Sequence, residues 1–100
     1  MQTTTISPNR HIKLEYRTPS NGLVEFKINA SNPVKSYVLG PKSYEAFAAG
    51  NKNFRYYGGY PDPRKMQNQK IRIPFSGKWF LVIINPDESS PVRVSYEVYY

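Results

Sequence analysis

Gly77-Lys78-Trp79-Phe80-Leu81-Val82-Ile83-Ile84 is the stretch that decides the fold. In an extended chain, successive side chains point to opposite faces. Trp79, Leu81 and Ile83 therefore share one face, and Phe80, Val82 and Ile84 share the other. Both faces are apolar, which marks the most central strand. Elsewhere the alternation is one-sided, as expected of half-buried strands. Val92, Val94, Tyr96 and Val98 alternate with Arg93, Ser95, Glu97 and Tyr99; Ile12, Leu14 and Tyr16 alternate with Lys13, Glu15 and Arg17. Val24, Phe26, Ile28 and Ala30 repeat the pattern, and Val34–Leu39 resumes it after Ser31-Asn32-Pro33. Lys70-Ile71-Arg72-Ile73 is a further strand, which Pro74 limits to an edge or an end.

Between these strands lie turn-forming residues, Thr18-Pro19-Ser20-Asn21-Gly22 and Asn85 to Pro91 among them. Gly40 to Gly50 breaks the strand period. Pro41 suits a first helical position, and Tyr44, Phe47 and Ala48 share one helical face, so a one- or two-turn helix is expected across an open end of the sheets. Phe54–Tyr57 reads as a strand entering a glycine turn, and Pro61 to Gln69 as the longest loop. The pattern predicts an all-β fold: a two-sheet antiparallel β-sandwich, jelly-roll-like, of about seven to eight short strands with one short helical turn. A small barrel is the alternative. Residues 1–100 form one domain, with 1–9 expected as a loosely ordered leader.

Cysteine is absent and His11 is the only histidine, so a disulfide scaffold, a thiolate metal site and a histidine metal cluster are all excluded. Met1 to Pro8 has neither the basic patch nor the apolar run of a signal peptide, and no apolar run approaches the roughly 18 residues that span a bilayer. A cytoplasmic protein without membrane contact is expected. The net charge of +7 comes from scattered residues with no run of five, a weak electrostatic signal for nucleic acid.

Catalysis needs a nucleophile or base held by partners. Glu15, Glu25 and Glu97 sit on the polar phase of strands, Asp87 and Glu88 in a turn, and His11 has no orienting carboxylate in view. We expect no enzyme activity, no cofactor and no metal. Gly58-Gly59 lacks the spacing of a phosphate loop, and its work is conformational. The aromatic and basic interleaving around it is more informative. With Phe54 and Tyr56 inward, Arg55 and Tyr57 form an exposed pair beside Tyr60 and Arg64, a surface suited to stacking on a base or sugar or to holding an anion. The alternative is structural: Tyr57 covers a cross-strand neighbour and Arg55 lies over it.

Several blocks in the same order also resemble a family of small bacterial β-sandwich domains of unknown function, some fused to TIR domains. They are Gly22-Leu23-Val24-Glu25-Phe26, Asn32 to Leu39, Ser43-Tyr44 with Phe47 and Gly50, Phe54-Arg55-Tyr56-Tyr57-Gly58-Gly59, Ile73-Pro74, and Gly77-Lys78-Trp79 with Phe80–Ile84. The family often carries a histidine after the glycines, where this chain has Tyr60. The resemblance implies a sandwich and, from the TIR fusions, a sensing or adaptor role. The expected function is a non-catalytic recognition or adaptor module for a protein, a glycan or a small anionic ligand, through Arg55, Tyr57, Tyr60 and Arg64. Single-stranded nucleic-acid binding and homodimeric assembly through the Tyr99–Tyr100 end are the other readings.

Overall fold

The computed structural model describes residues 1–100. Its elements, in chain order, are β1 (Gln2–Ile6), β2 (His11–Thr18), β3 (Gly22–Leu39), α1 (Pro41–Ala48), β4 (Gly58–Ile73), β5 (Gly77–Ile84) and β6 (Val92–Tyr99). They form one antiparallel sheet in the order β1-β6-β3-β5-β2, with β4 on the remaining side of β3.

The architecture follows from the 18 residues of β3. Val24, Phe26 and Ile28 are buried on one face, and Val34, Ser36 and Val38 continue that face after the exposed Ser31-Asn32-Pro33. At this interruption the register with β4 shifts, between Asn29 and Val34 and again before Ser36. Irregular pairing of this kind lets a strand bend without ending. The halves of β3 then take different neighbours. Glu25–Ala30 pairs with β6, whereas Lys35–Leu39 pairs with β5, and β4 follows both. The sheet curls until its inner faces meet in one core of Ile6, Val24, Phe26, Ile28, Val34, Val38, Ile73, Trp79, Leu81, Ile83, Val92 and Val94. The core thus combines residues of both halves.

The all-β expectation is met, and three details are corrected. There are six strands, fewer than expected, because 24–30 and 34–39 are one strand and 54–57 is none, while Gln2–Ile6 adds one. The stretch 61–69, expected as a loop, lies inside β4. Its inward positions are amides: buried Gln67 donates to the Val34 carbonyl at 2.8 Å and accepts from the Ser36 hydroxyl, so a satisfied polar side chain takes the place of an apolar one. Residues 1–9 contain a real strand. Gln2–Ile6 pairs with Val92–Tyr96, and Ile6 enters the core. Asn85, fully buried at the end of β5, secures it by donating to the carbonyls of Ile6 (3.1 Å) and Ser90 (2.9 Å).

Helix α1 starts at Pro41, whose ring fixes φ and whose missing N–H is harmless there. It packs on the outer face of β3 and β5 rather than across an open end. Leu39, Phe80 and Val82 form a second small core there, covered by Tyr37, Tyr44, Phe47, Phe54 and Ile84. No helix is long and apolar enough to cross a membrane.

Candidate binding site

Residues 51–57 run as an extended connection over the sheet, not as the expected strand, and β4 begins at the glycines. Phe54 leaves the main core for the outer one, in edge-to-face contact with Tyr37 (5.1 Å between ring centres) and Phe47 (5.5 Å). Tyr56 rests on Tyr37 at 5.2 Å and is 46% exposed, so it is a cover rather than a core residue. Tyr57 is the residue that turns toward the main core. Its N–H donates to the Val38 carbonyl at 2.8 Å, and its ring meets Phe75 at 5.3 Å and 62°. Phe54 is thus packed inward and Arg55 exposed, as inferred from the sequence, whereas Tyr56 and Tyr57 have exchanged the inferred phases.

Gly59 explains the abrupt entry into β4. Its φ is +115°, and a Cβ there would stand 2.3 Å from the Ser36 carbonyl oxygen, so only glycine permits this close backbone approach. Its N–H donates to Gln69 Oε1 at 2.7 Å, while the Tyr60 N–H donates to Ser36 Oγ at 3.1 Å.

Of the four residues singled out from the sequence, the structure brings two together. The Arg64 guanidinium lies 5.1 Å from the centre of the Tyr60 ring, a cation–π contact. Tyr60 is also anchored by its hydroxyl, which donates to the Asn68 carbonyl at 2.7 Å, and by an edge-to-face contact with Phe26. Arg55 is exposed and stands apart from any recorded hydrogen bond or ion pair. Tyr57 faces a different groove.

That groove, of about 360 Å³, is lined by Gly40, Pro41, Lys42, Ser43, Tyr57 and Phe75. Gly40 lets the two rings settle on the backbone: an added Cβ would lie 3.3 Å from Phe75 Cζ and 3.7 Å from Tyr57 Cε2. Lys42 and Ser43 come from the first turn of α1, and Phe75 from the tight β4–β5 connection. The lining holds an edge-to-face ring pair, an ammonium and a hydroxyl, with no carboxylate. Phe75 and Lys42 were missed from the sequence. The available signal was an aromatic residue within a short turn, Pro74-Phe75-Ser76, where solubility alone favours a polar one.

A larger cleft of about 520 Å³ opens at the end of β2 and β6, with Tyr16, Tyr96, Tyr99 and Tyr100 among its walls. Tyr16 stacks between Trp79 and Tyr100, each at 5.0 Å. Burial, with smaller contributions from Tyr96 and Tyr100, pushes its phenol up to about 12. The ring is therefore neutral at every physiological pH. Glu97 in this wall is ion-paired at 3.4 Å with the Met1 ammonium of the same wall, so the cleft carries no unbalanced charge.

Beside α1, His11 lies edge-on to Phe47 at 4.9 Å, with Nε2 3.3 Å from the Tyr44 hydroxyl. Burial and then the charge of Lys13 hold its pKa below the ordinary histidine value. No three His, Asp or Glu side chains stand close enough to hold a metal ion together. No protein-family model matches the chain, and no curated protein matches it either.

Proposed function

We propose that this protein is a non-catalytic recognition module that takes a small anionic ring ligand in the groove between Tyr57, Phe75 and Lys42. The observation that carries this reading is the composition of the groove. Two half-exposed rings offer faces and edges for stacking, the Lys42 ammonium and Ser43 hydroxyl offer donors, and no acid opposes an anion. A net charge of +7 adds long-range attraction for the same class of ligand. Of the sequence-derived set, Tyr57 belongs to this site; Tyr60 and Arg64 form a separate aromatic–basic pair on β4. We further propose that the two halves of the curled sheet act as the layers of a jelly-roll-like sandwich, as the resemblance to the TIR-associated family implies. The shared core of the two halves supports that reading.

The test is an amide-shift titration with aromatic carboxylates and nucleoside monophosphates. Shifts should be confined to the amides of Gly40, Lys42, Ser43, Tyr57 and Phe75, and Lys42→Glu should remove them without moving the thermal midpoint. Saturable binding that leaves these residues unperturbed would place the site elsewhere and end this reading, as would no binding at millimolar ligand in low salt.

A further inference from the structure

The sheet has three unpaired borders, and one of them differs from the others. β1, β2 and β4 each pair with a single strand, leaving one side of each open. The β1 border, Gln2-Thr3-Thr4-Thr5-Ile6, carries no charge. The β2 border mixes signs, with Glu15 3.9 Å from Lys78 of the neighbouring strand and with Lys13 lying over the Tyr44 and Phe80 rings. Beyond Asp62, the β4 border has a single sign. From Arg64 to Arg72 the chain reads Arg-Lys-Met-Gln-Asn-Gln-Lys-Ile-Arg, four cations and no acid.

The direction of its backbone groups follows from two hydrogen bonds. The Ile73 carbonyl accepts from the Asn21 N–H at 2.8 Å, on the β3 side. In an antiparallel ladder alternate residues face the partner, and the register between Ile73 and Met66 is uninterrupted. Ile71, Gln69 and Gln67 therefore bond β3, whereas Arg72, Lys70, Asn68 and Met66 turn their N–H and C=O groups outward. Consistent with this, the Asn68 carbonyl is taken by the Tyr60 hydroxyl and not by β3. The same four residues are the exposed ones. Toward the chain's N-terminal side the border is closed to pairing by Pro61 and Pro63, which lack a donor. The open length, Met66–Arg72, is about that of an ordinary strand.

We propose that this border accepts an acidic extended peptide as an added strand. Main-chain hydrogen bonds to Met66, Lys70 and Arg72 supply the pairing, and Lys65 and Lys70 supply the choice of partner. Both lysines are exposed and neither is in a salt bridge; the one carboxylate opposite them across the ladder is Glu25, facing Lys70. Arg72 is steadied by a bond from its guanidinium to the Asn21 carbonyl (3.0 Å), and Arg64 by the Tyr60 ring. Like charges placed opposite one another across a ladder repel, so the row that attracts an acidic strand also opposes pairing of two β4 borders with each other. Strand addition is a standard mode of peptide recognition, with affinity from the main chain and selection from side chains.

The experiment uses the whole protein and three synthetic peptides: an alternating Glu-Val peptide, the same peptide with alternate amides N-methylated, and a Lys-Val version. Amide shifts at Met66, Asn68, Lys70 and Arg72 are expected with the first peptide alone, weakening as salt rises. Lys65→Glu combined with Lys70→Glu should lower affinity by about tenfold or more while the thermal midpoint stays. Equal binding of the N-methylated peptide would overturn strand addition. Preference for a single-stranded oligonucleotide, or concentration-dependent self-association through the same residues, would overturn the choice of partner. Because the peptide signals fall on β4 and the ring-ligand signals on Gly40, Lys42, Ser43, Tyr57 and Phe75, the two proposals fail separately.

Discussion

The two outer faces of this one sheet are built to opposite rules. On the half shared by β3 and β5, the outward residues Leu39, Phe80, Val82 and Ile84 are apolar, and α1 with the 51–57 connection lies over them. On the half shared by β3 and β6, the outward positions are Glu25, Lys27, Asn29, Arg93, Ser95, Glu97 and Tyr99, and no helix lies over them; Lys27 rests over the exposed Tyr99 ring. The same strand, β3, therefore contributes a two-sided buried segment and a one-sided segment. The lesson is that an element buried on both faces recruits its own cover from the loop that follows it. Here that loop carries Arg55 and Tyr57, two of the four residues that sequence reading marked as functional; Tyr60 and Arg64 lie in β4. Phe54 and Tyr56 serve the cover, and Tyr57 borders a groove because it lies where the cover ends.

If this contrast is right, its largest consequence is at Phe80, which is 5% exposed under the helix. Phe80→Ala should cost about 3–5 kcal/mol in chemical denaturation, as in a main core. A loss below 1 kcal/mol would make the outer cluster a surface decoration. Gly59→Ala comes next, at about 3 kcal/mol, since the new methyl group has backbone in its way and the residue is held at a positive φ. Phe54→Ala, which removes one half-buried covering ring, should cost about 2 kcal/mol and expose the amides of α1 to exchange.

A pH series sharpens the contrast further, because His11 belongs to the covered half. Its folded pKa lies below 6.5, so the unfolded chain takes up the proton first as pH falls. Its contribution is complete above 6.5 and declines through the interval below, until the folded ring also protonates. The facing groups are Lys13, Tyr44 and Phe47. Thermal midpoints should fall between pH 7 and 5 in the native protein and fall less in His11→Phe. The smallest effect is on the bare half, where Lys27→Ala should stay within about 0.5 kcal/mol. A larger cost would show that this face is a packed surface after all.

Much of this was legible in the residues, and the failures have physical causes. β2, β5, β6 and both halves of β3 follow from apolar alternation, and the helix follows from Pro41 with the Tyr44 and Phe47 spacing. The middle of β4 is hidden because Gln67 and Gln69 occupy inward positions, where their amides satisfy backbone groups. Hydropathy cannot distinguish such an amide from a solvated one. β1 is hidden because its threonines lie on an open border, with Ile6 as the one fully buried side chain. Of the groove proposed as the site, Tyr57 alone was singled out in the sequence, and there with different neighbours; Phe75 and Lys42 reach it through tertiary folding, across a distance that no local period encodes.

The pairing of β1 with β6 also has a consequence for synthesis. Gln2 meets Tyr96 and Ile6 meets Val92, so β1 has no partner until β6 leaves the ribosome. Asn85, whose amide holds the Ile6 carbonyl, emerges late as well. A nascent chain can form the β3–β4 ribbon earlier, but it must carry the Thr3-Thr4-Thr5 segment unpaired until Val92–Tyr96 has emerged. The uncharged threonines give that waiting segment little apolar surface with which to aggregate. Refolding of the domain should be slow for its size, on the order of milliseconds to seconds, because β1 pairs with a strand far away in the sequence.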